Sequence, residues 1–578
     1  MKRIIRRRGI RIAIAATLGA TSGIAHAQAR IVALPTPIRD QRQDLDMLER
    51  QREQSRIQQE IDREREIQEQ QQPVAPVPTH ADAPGPQPRF LVTAIELVGD
   101  DDPGPGVQAI LASYRGKDMG SAEIMAIIRD LTNHYMGQGF ATTLVTVRPG
   151  SLDAGKLTLE VKWGTIKGMT INGHPPKGLR DSLRLFGALP FATDQVLNMQ
   201  EIDQAVENLM KAGGNDVIRI VPDVEAGKST LDVVTGDRKM LRLGAGVNNS
   251  GRQQEGWNQY SGTLGVNDLT GLNDTLTTYY AQQDFKDPGR LQQIASVSYS
   301  VPIGKWNLDA SWYGSRYEKM VGGNFGSYSS EGSSQRYNAR LSRLLQRNAG
   351  GKTNAYLKLA VRDNANAIEG TMVGVSSKVY SEFGGGVSHV GTLGGGWLYT
   401  DVGLSAGVPW FGAAWRHDTD LAGLDTDYIK LNGTVTWSRP FKVGRADLQY
   451  ELGTGFQYSE NKMVNDGQLS LGDEYTVRGF KDSAFYGDSG AWISNTLRLP
   501  LRANPTGGLE LAPFVGYDFG FVNRNNEYGP QYLMGAAVGL RFSGKYFSSS
   551  LSYGWPLLLP ERSPALASAL NYRLDLRY

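Results

Sequence analysis

Asp518 is the residue whose chemistry most needs a partner. It sits in Phe514-Val515-Gly516-Tyr517-Asp518-Phe519-Gly520-Phe521. Alternation there puts Val515, Tyr517, Phe519 and Phe521 on one face, and Phe514, Gly516, Asp518 and Gly520 on the other. Gly516 and Gly520 carry no side chains, so the face beside the carboxylate has room for something large. A carboxylate in a confined space favours a cationic, hydrogen-bonding partner. The other chemically suggestive stretch is Asn461–Ser489, too long for a hairpin turn, and loops of that length are usually functional or disordered. It carries Leu471-Gly472-Asp473-Glu474-Tyr475-Thr476-Val477-Arg478-Gly479-Phe480. Gly479 can take backbone dihedrals closed to other residues. On its residue type alone, Arg478 is as consistent with a solvated loop side chain as with a buried ion pair.

Catalytic constellations are missing from the sequence. Gly227-Lys228-Ser229 has the end of a phosphate-binding loop, but Pro222 stands where its first glycine belongs, so a turn before a strand is the better reading. The six histidines, His26, His80, His134, His174, His389 and His417, show no ligand spacing. There is no GxSxG elbow. With no cysteine in the chain, thiol chemistry, Cys-ligated metals and disulfides are excluded. A net charge of +2 gives no argument for nucleic acid. The expectation is a protein that is not an enzyme and has no catalytic residues, no metal and no cofactor.

The elements that must position Asp518 and the loop read as a transmembrane barrel. In Leu570–Tyr578 the odd member of each pair is polar or charged and the even one apolar or aromatic, as in a strand between lipid and a watery lumen. Similar alternation recurs at Tyr260–Val266, Leu357–Val361, Leu448–Phe456, Trp492–Leu499, Leu533–Phe542 and Phe547–Tyr553. Roughly 340 residues at about 21 per strand and connection give about 16 strands. A barrel of that size is too wide for its wall side chains to fill, so something else must occupy the lumen. Outside the N-terminus no apolar run reaches the ~18 residues of a membrane helix. The mean hydropathy of -0.36 agrees.

The N-terminal half divides by composition. Residues 1–27 combine a basic start, a short apolar run at Ile12–Ile24 and Ala25-His26-Ala27, the pattern of a secretory signal peptide. Within residues 28–71, the stretch from Asp40 to Gln70 is a charged helix with sparse apolar residues: Leu45, Met47, Leu48, Ile57, Ile61 and Ile67. Such a helix is either exposed or in a coiled coil, or it is a plug in a water-filled lumen. Residues 72–88 are a proline-rich tether. Residues 89–163 and 164–237 repeat one α+β pattern after about 75 residues. In the first copy Ile124, Ile127, Ile128, Leu131 and Tyr135 share a helix face, with Ser121 placed to cap it. In the second, Ile202, Ala205, Val206 and Leu209 do the same.

These two copies resemble the polypeptide-transport-associated (POTRA) domain. The first, with Gly139-Phe140-Ala141-Thr142-Thr143, Pro149, Gly155 and Leu157, resembles the variant of two-partner secretion transporters. The second resembles the next module around Gly187–Pro190 and Glu225–Ser229. Val477-Arg478-Gly479-Phe480 resembles the inward-loop motif of those transporters (TpsB-type, the ShlB/FhaC/HecB haemolysin activation/secretion family of the barrel-assembly superfamily). Phe514–Gly520 resembles their barrel-wall motif. Asn248-Asn249-Ser250-Gly251 and Gly271-Leu272-Asn273-Asp274 resemble their barrel start. The resemblance implies that Arg478 pairs with Asp518 and that the charged helix is a plug. It implies an outer-membrane barrel in a Gram-negative cell, with the POTRA domains in the periplasm. The implied partners are a large secreted client of filamentous-haemagglutinin or haemolysin type, outer-membrane lipid, and the barrel-assembly machinery acting on the strand that ends at Tyr578. Two other readings stand beside it, a factor that inserts other barrels and a passive diffusion pore. Phe480 stands where a tyrosine is often found.

Overall fold

The computed structural model describes residues 36–70, 89–148, 155–225, 227–251, 256–283, 291–323, 326–416, 418–421, 423–481, 484–502, 508–525, 529–560 and 568–578. The signal peptide expected at 1–27 and the tether expected at 72–88 lie outside them. Among the described residues, sixteen antiparallel strands close a barrel, from Leu241–Asn248 to Ala569–Arg577. Each strand pairs with the next in sequence. The last pairs with the first through Arg573↔Asn248 to Arg577↔Gly244. The expected alternation is visible in burial: Leu570, Leu574 and Leu576 of the closing strand are exposed on the outer face. Among the described residues no helix is long and apolar enough to cross a membrane.

Helix α1 (Thr36–Gln70) lies inside the barrel, beginning before the Asp40 suggested by composition. Its sparse apolar residues are buried, except Met47, which is half-buried. Leu45 and Leu48 pack on Ile294 and Tyr313 of the wall, and Ile57 and Ile61 on Val390 and Tyr399. At ~1.5 Å per residue its 35 residues run ~52 Å, longer than the ~30 Å of a bilayer's hydrocarbon core.

Each N-terminal repeat is a three-stranded sheet under two helices. The first has strands Ala94–Val98, Lys156–Lys162 and Leu144–Val147, with α2 (Pro105–Tyr114) and α3 (Ser121–Gly137). The second has Thr165–Ile171, Lys228–Val234 and Val217–Pro222, with α4 (Gly178–Ala188) and α5 (Met199–Lys211). Two details differ from expectation. The strand expected over Val92–Gly99 is broken into Phe90–Val92 and Ala94–Val98, because the first piece pairs with Lys117–Met119 and the second with Lys156–Lys162. Ser121 does not cap α3. The cap position is Gly120, whose N–H donates to Glu123 Oε2 at 2.8 Å, and Ser121 is the first helical residue. Gly227 makes the expected turn, with φ +84°, and Lys228 opens a strand.

The core of the first repeat closes around Ile127, Leu131, Tyr135, Leu157 and Leu159. Gly99 is its tightest joint, with φ +89° and room for no Cβ, which would stand 2.4 Å from the Val161 carbonyl oxygen. Gly99→Val is expected to destabilise this repeat by about 2–3 kcal/mol. Hydrogen exchange should report it as lost protection in Lys156–Lys162 while the barrel strands stay protected.

Candidate functional site: the inward loop and the filled lumen

The chain between strands Ala446–Tyr458 and Ser489–Arg498 turns into the barrel instead of crossing outside its rim. A single 3-10 turn at Asn465–Gly467 and a small hairpin, Leu469–Leu471 with Phe485–Gly487, stiffen its stem. The Asp473 carboxylate shapes the next bend by accepting from Tyr475 N–H and Thr476 Oγ1, both at 2.9 Å. The tip carries Val477, Arg478, Gly479 and Phe480. Val477 and Phe480 are buried with Leu533, and the Phe480 ring meets Phe485 edge-on at 5.8 Å.

Arg478 meets Asp518 on the strand Glu510–Asn523. Its Nη2 lies 2.6 Å from Asp518 Oδ1, its Nε donates to Oδ2 at 2.7 Å, and its own backbone N–H donates to Oδ2 at 2.9 Å. The remaining guanidinium donors reach Thr496 Oγ1 at 3.0 Å and the Asn495 carbonyl at 2.9 Å. This is the fork-to-fork geometry that favours arginine over lysine. Asp518 is wholly buried. Without a charged partner such a carboxylate is costly, so the pair dictates where the loop tip sits.

The bare positions beside Asp518 are filled by the loop. A Cβ on Gly516 would come within 2.3 Å of the Arg478 guanidinium, and one on Gly520 within 2.9 Å of Val477 and Leu471. Two further glycines complete the cradle and escaped the sequence reading. A Cβ on Gly535 would come within 1.7 Å of the Arg478 carbonyl oxygen, and Gly554 lies against Gly479. Gly479 itself has φ +95°, and its own Cβ would clash with the Trp555 backbone. The available signal was Gly535 and Gly554 on adjacent strands, but it needed the register to be read. Lys481 extends from the tip to the barrel seam, donating to the Asn249 carbonyl at 2.7 Å and covering the Trp257 ring at 4.4 Å.

The helix α1 is held mainly by charge. The lumenal Arg336 lies 2.8 Å from Asp46 and 3.1 Å from Glu49. Arg50 pairs with Asp473 of the inward loop, so α1 and the loop are in direct contact. Arg56 donates to Tyr399 Oη at 2.6 Å, and Arg65 covers the Trp397 ring. At the end of the lumen that carries the repeats, four buried charges from three parts of the chain converge. Arg347 of the wall lies 3.1 Å from Glu64 of α1 and also pairs with Glu207 of α5. Lys352 lies 2.7 Å from Glu207. Burial works to raise the Glu207 carboxyl, but Lys352 and then Arg347 hold it well below the usual carboxylate range. It therefore stays ionised and keeps the junction tied. None of these four residues was singled out from sequence, because each is an ordinary charge until the fold brings them together.

Comparison with known proteins places this architecture. Residues 227–542 match the family described as haemolysin secretion/activation protein ShlB/FhaC/HecB. The chain belongs to that family. Residues 90–164 match its ShlB-type POTRA domain, and residues 165–222 match a further POTRA domain. The chain is 27% identical over 477 residues to the outer membrane transporter CdiB of Dickeya dadantii strain 3937, covering 81% of this chain and 83% of that one. It is 27% identical over 463 residues to the hemolysin transporter protein ShlB of Serratia marcescens, covering 78% and 80%. The solved structure of CdiB from Escherichia coli superposes with a TM-score of 0.83 at 23% identity, covering 95% of this chain and 100% of that one. CdiB from Acinetobacter baumannii gives 0.77 at 22%, with the same coverage. As a member of the ShlB/FhaC/HecB family, the protein is an outer-membrane transporter of two-partner secretion, with its POTRA domains in the periplasm.

Two outcomes follow from the geometry of this family member. Gly535→Val is expected to push the loop tip off the wall and destabilise the barrel by about 1–3 kcal/mol, read as a lower temperature of unfolding on heated gels. Arg347→Ala leaves Glu64 and Glu207 buried with less compensation, a loss of about 3–5 kcal/mol at the junction. In planar bilayers it should raise the frequency of full openings, whereas the parent chain should stay mostly closed.

Proposed function

We propose that this transporter takes one large exported client in unfolded form, docks it on the POTRA repeats and threads it through the barrel lumen, with α1 as a plug that must leave first. The client is of the filamentous-haemagglutinin or haemolysin type, and the process uses no catalytic residue, metal, cofactor or nucleic acid. The observation that carries the reading is the lumen itself. A passage wide enough to hold a helix is filled by one whose contacts are chiefly ion pairs, hydrogen bonds and cation–π stacking, all replaceable by water. An all-apolar filling would have no route back into solution.

The repeats support docking. Ala94–Val98 and Leu144–Val147 each pair on one side only within their sheet, so an extended client strand has main-chain groups to meet. Leu144 is exposed on that edge. The seam supports threading through the lumen over release between strands. Asn249 clamps it with both ends of its side-chain amide, donating to the Leu570 carbonyl at 2.7 Å and accepting from Tyr572 N–H at 2.8 Å. Leu243 and Tyr578 exchange both backbone bonds at its far end. Surrounding lipid meets the outer face, and the closing strand ending at Tyr578 is the segment we assign to recognition by the barrel-assembly machinery.

In this reading the Arg478–Asp518 pair holds the loop in the shape that permits transport. Arg478→Ala removes the partner of a buried charge, costing about 3–5 kcal/mol of loop seating. Outer-membrane levels of the barrel should stay normal while client secretion falls at least tenfold. Normal secretion at normal barrel levels would remove the role assigned to the pair.

A further inference from the structure

The helix α4 carries three distinct stripes. Arg180, Arg184 and Gly187, at i, i+4 and i+7, face the short periplasmic turns of the barrel. Arg184 Nη2 lies 2.6 Å from Asp268, and the Gly304 N–H donates to the Gly187 carbonyl at 3.0 Å. Leu185 and Ala188 face the core of the second POTRA domain. The third stripe, Leu179, Leu183 and Phe186, also at i, i+4 and i+7, turns away from both, with Leu183 half-buried. Leu179 is 76% exposed, and Phe191, just past the helix, is 79% exposed with its ring 5.5 Å from that of Phe186. Phe191 also sits at φ +56°. A bulky residue is rare and strained there, yet the chain holds its ring outward in that conformation.

We propose that Leu179, Phe186 and Phe191 form a foot that inserts into the periplasmic leaflet of the outer membrane and fixes the second POTRA domain against it. Three observations point to lipid. The patch continues the outer face of the wall: a Cβ on Gly304 would come within 2.6 Å of Pro190, which precedes Phe191, and Trp306 two residues beyond Gly304 is 45% exposed on the barrel surface. Tryptophan at the end of a barrel strand belongs to the interfacial girdle, so Phe191 lies close to headgroup depth. The side is also fixed. The helix α5 lies toward the lumen, because its Glu207 reaches Arg347 and Lys352, and Asn208 Nδ2 donates to the Ala188 carbonyl at 3.2 Å. The free stripe of α4 is on the flank away from α5, which turns it outward beneath the lipid. Finally, the exposed Lys177 sits beside it, suited to phosphate headgroups.

Because the chain has no cysteine, single labels can be placed without other changes. The full-length protein is made as Phe191→Cys, carries a bimane label, and is reconstituted in phosphatidylglycerol–phosphatidylethanolamine vesicles. Val224→Cys is the reference, since Val224 is fully exposed at the end of the same domain farthest from the barrel. Leu179→Cys is a second reporter in case the first does not fold, with barrel formation checked on heated gels. Bromolipids should quench the labels at 191 and 179 several-fold more than the label at 224, at a depth of about 5–10 Å below the headgroups. Labels at 191 and 179 that are as open to aqueous iodide as the one at 224 would overturn the proposal. Shielding that arises only on adding the N-terminal segment of the client would also overturn it and assign the face to the client.

Discussion

A carboxylate with no exposed surface cannot be left alone in a protein wall, and Asp518 is such a carboxylate. It takes Arg478, which brings in Gly479 and the rest of the tip, and the tip in turn needs a wall stripped of side chains at Gly516, Gly520, Gly535 and Gly554. Three strands are therefore shaped around one ion pair. The loop that carries the arginine then offers Asp473 to the plug and Lys481 to the seam. Loss of the pair would be felt at all three places.

The plug shows the opposite use of charge. A single exposed ion pair is worth about 0–1 kcal/mol, and a lumen that admits water keeps most pairs near that limit. Many of them spread along α1 give a seat that is firm in sum and dissolves stepwise. At the junction of Glu64, Arg347, Glu207 and Lys352 the charges are enclosed, as is the Arg336 guanidinium against Asp46 and Glu49 farther along the helix. That junction ties helix, wall and second POTRA domain through one arginine, so a shift of α5 on client docking would act on the end of the plug.

Some of this was legible in the sequence for plain physical reasons. Period-2 alternation survives in any strand between lipid and water, so the barrel could be read from Leu570–Tyr578 and its counterparts. Gly516 and Gly520 around Asp518 marked a wall with room beside an acid. Broken strands and extra helices were harder. The helices α2 and α4 went unread because α2 follows Pro103 and Gly104 closely and α4 spreads its apolar residues over two faces, Leu185 and Ala188 toward the core and Leu179, Leu183 and Phe186 away from it. The glycines at 535 and 554 and the charges at 64, 207, 347 and 352 carry no local pattern. Their meaning lies in the register of strands far apart in the chain. The helix α1 was ambiguous for a related reason, since a polar helix in a polar lumen looks the same in sequence as a polar helix in solution.

The most direct test is a double-mutant cycle. Arg478→Ala, Asp518→Ala and the pair together would be compared by the rate at which trypsin cuts after Lys481 in reconstituted vesicles. A pinned loop predicts that each single change exposes the site and that the double change is no worse than either, a coupling of about 3 kcal/mol or more. Additive effects, or a site already open in the parent protein, would contradict a loop held inside by this pair.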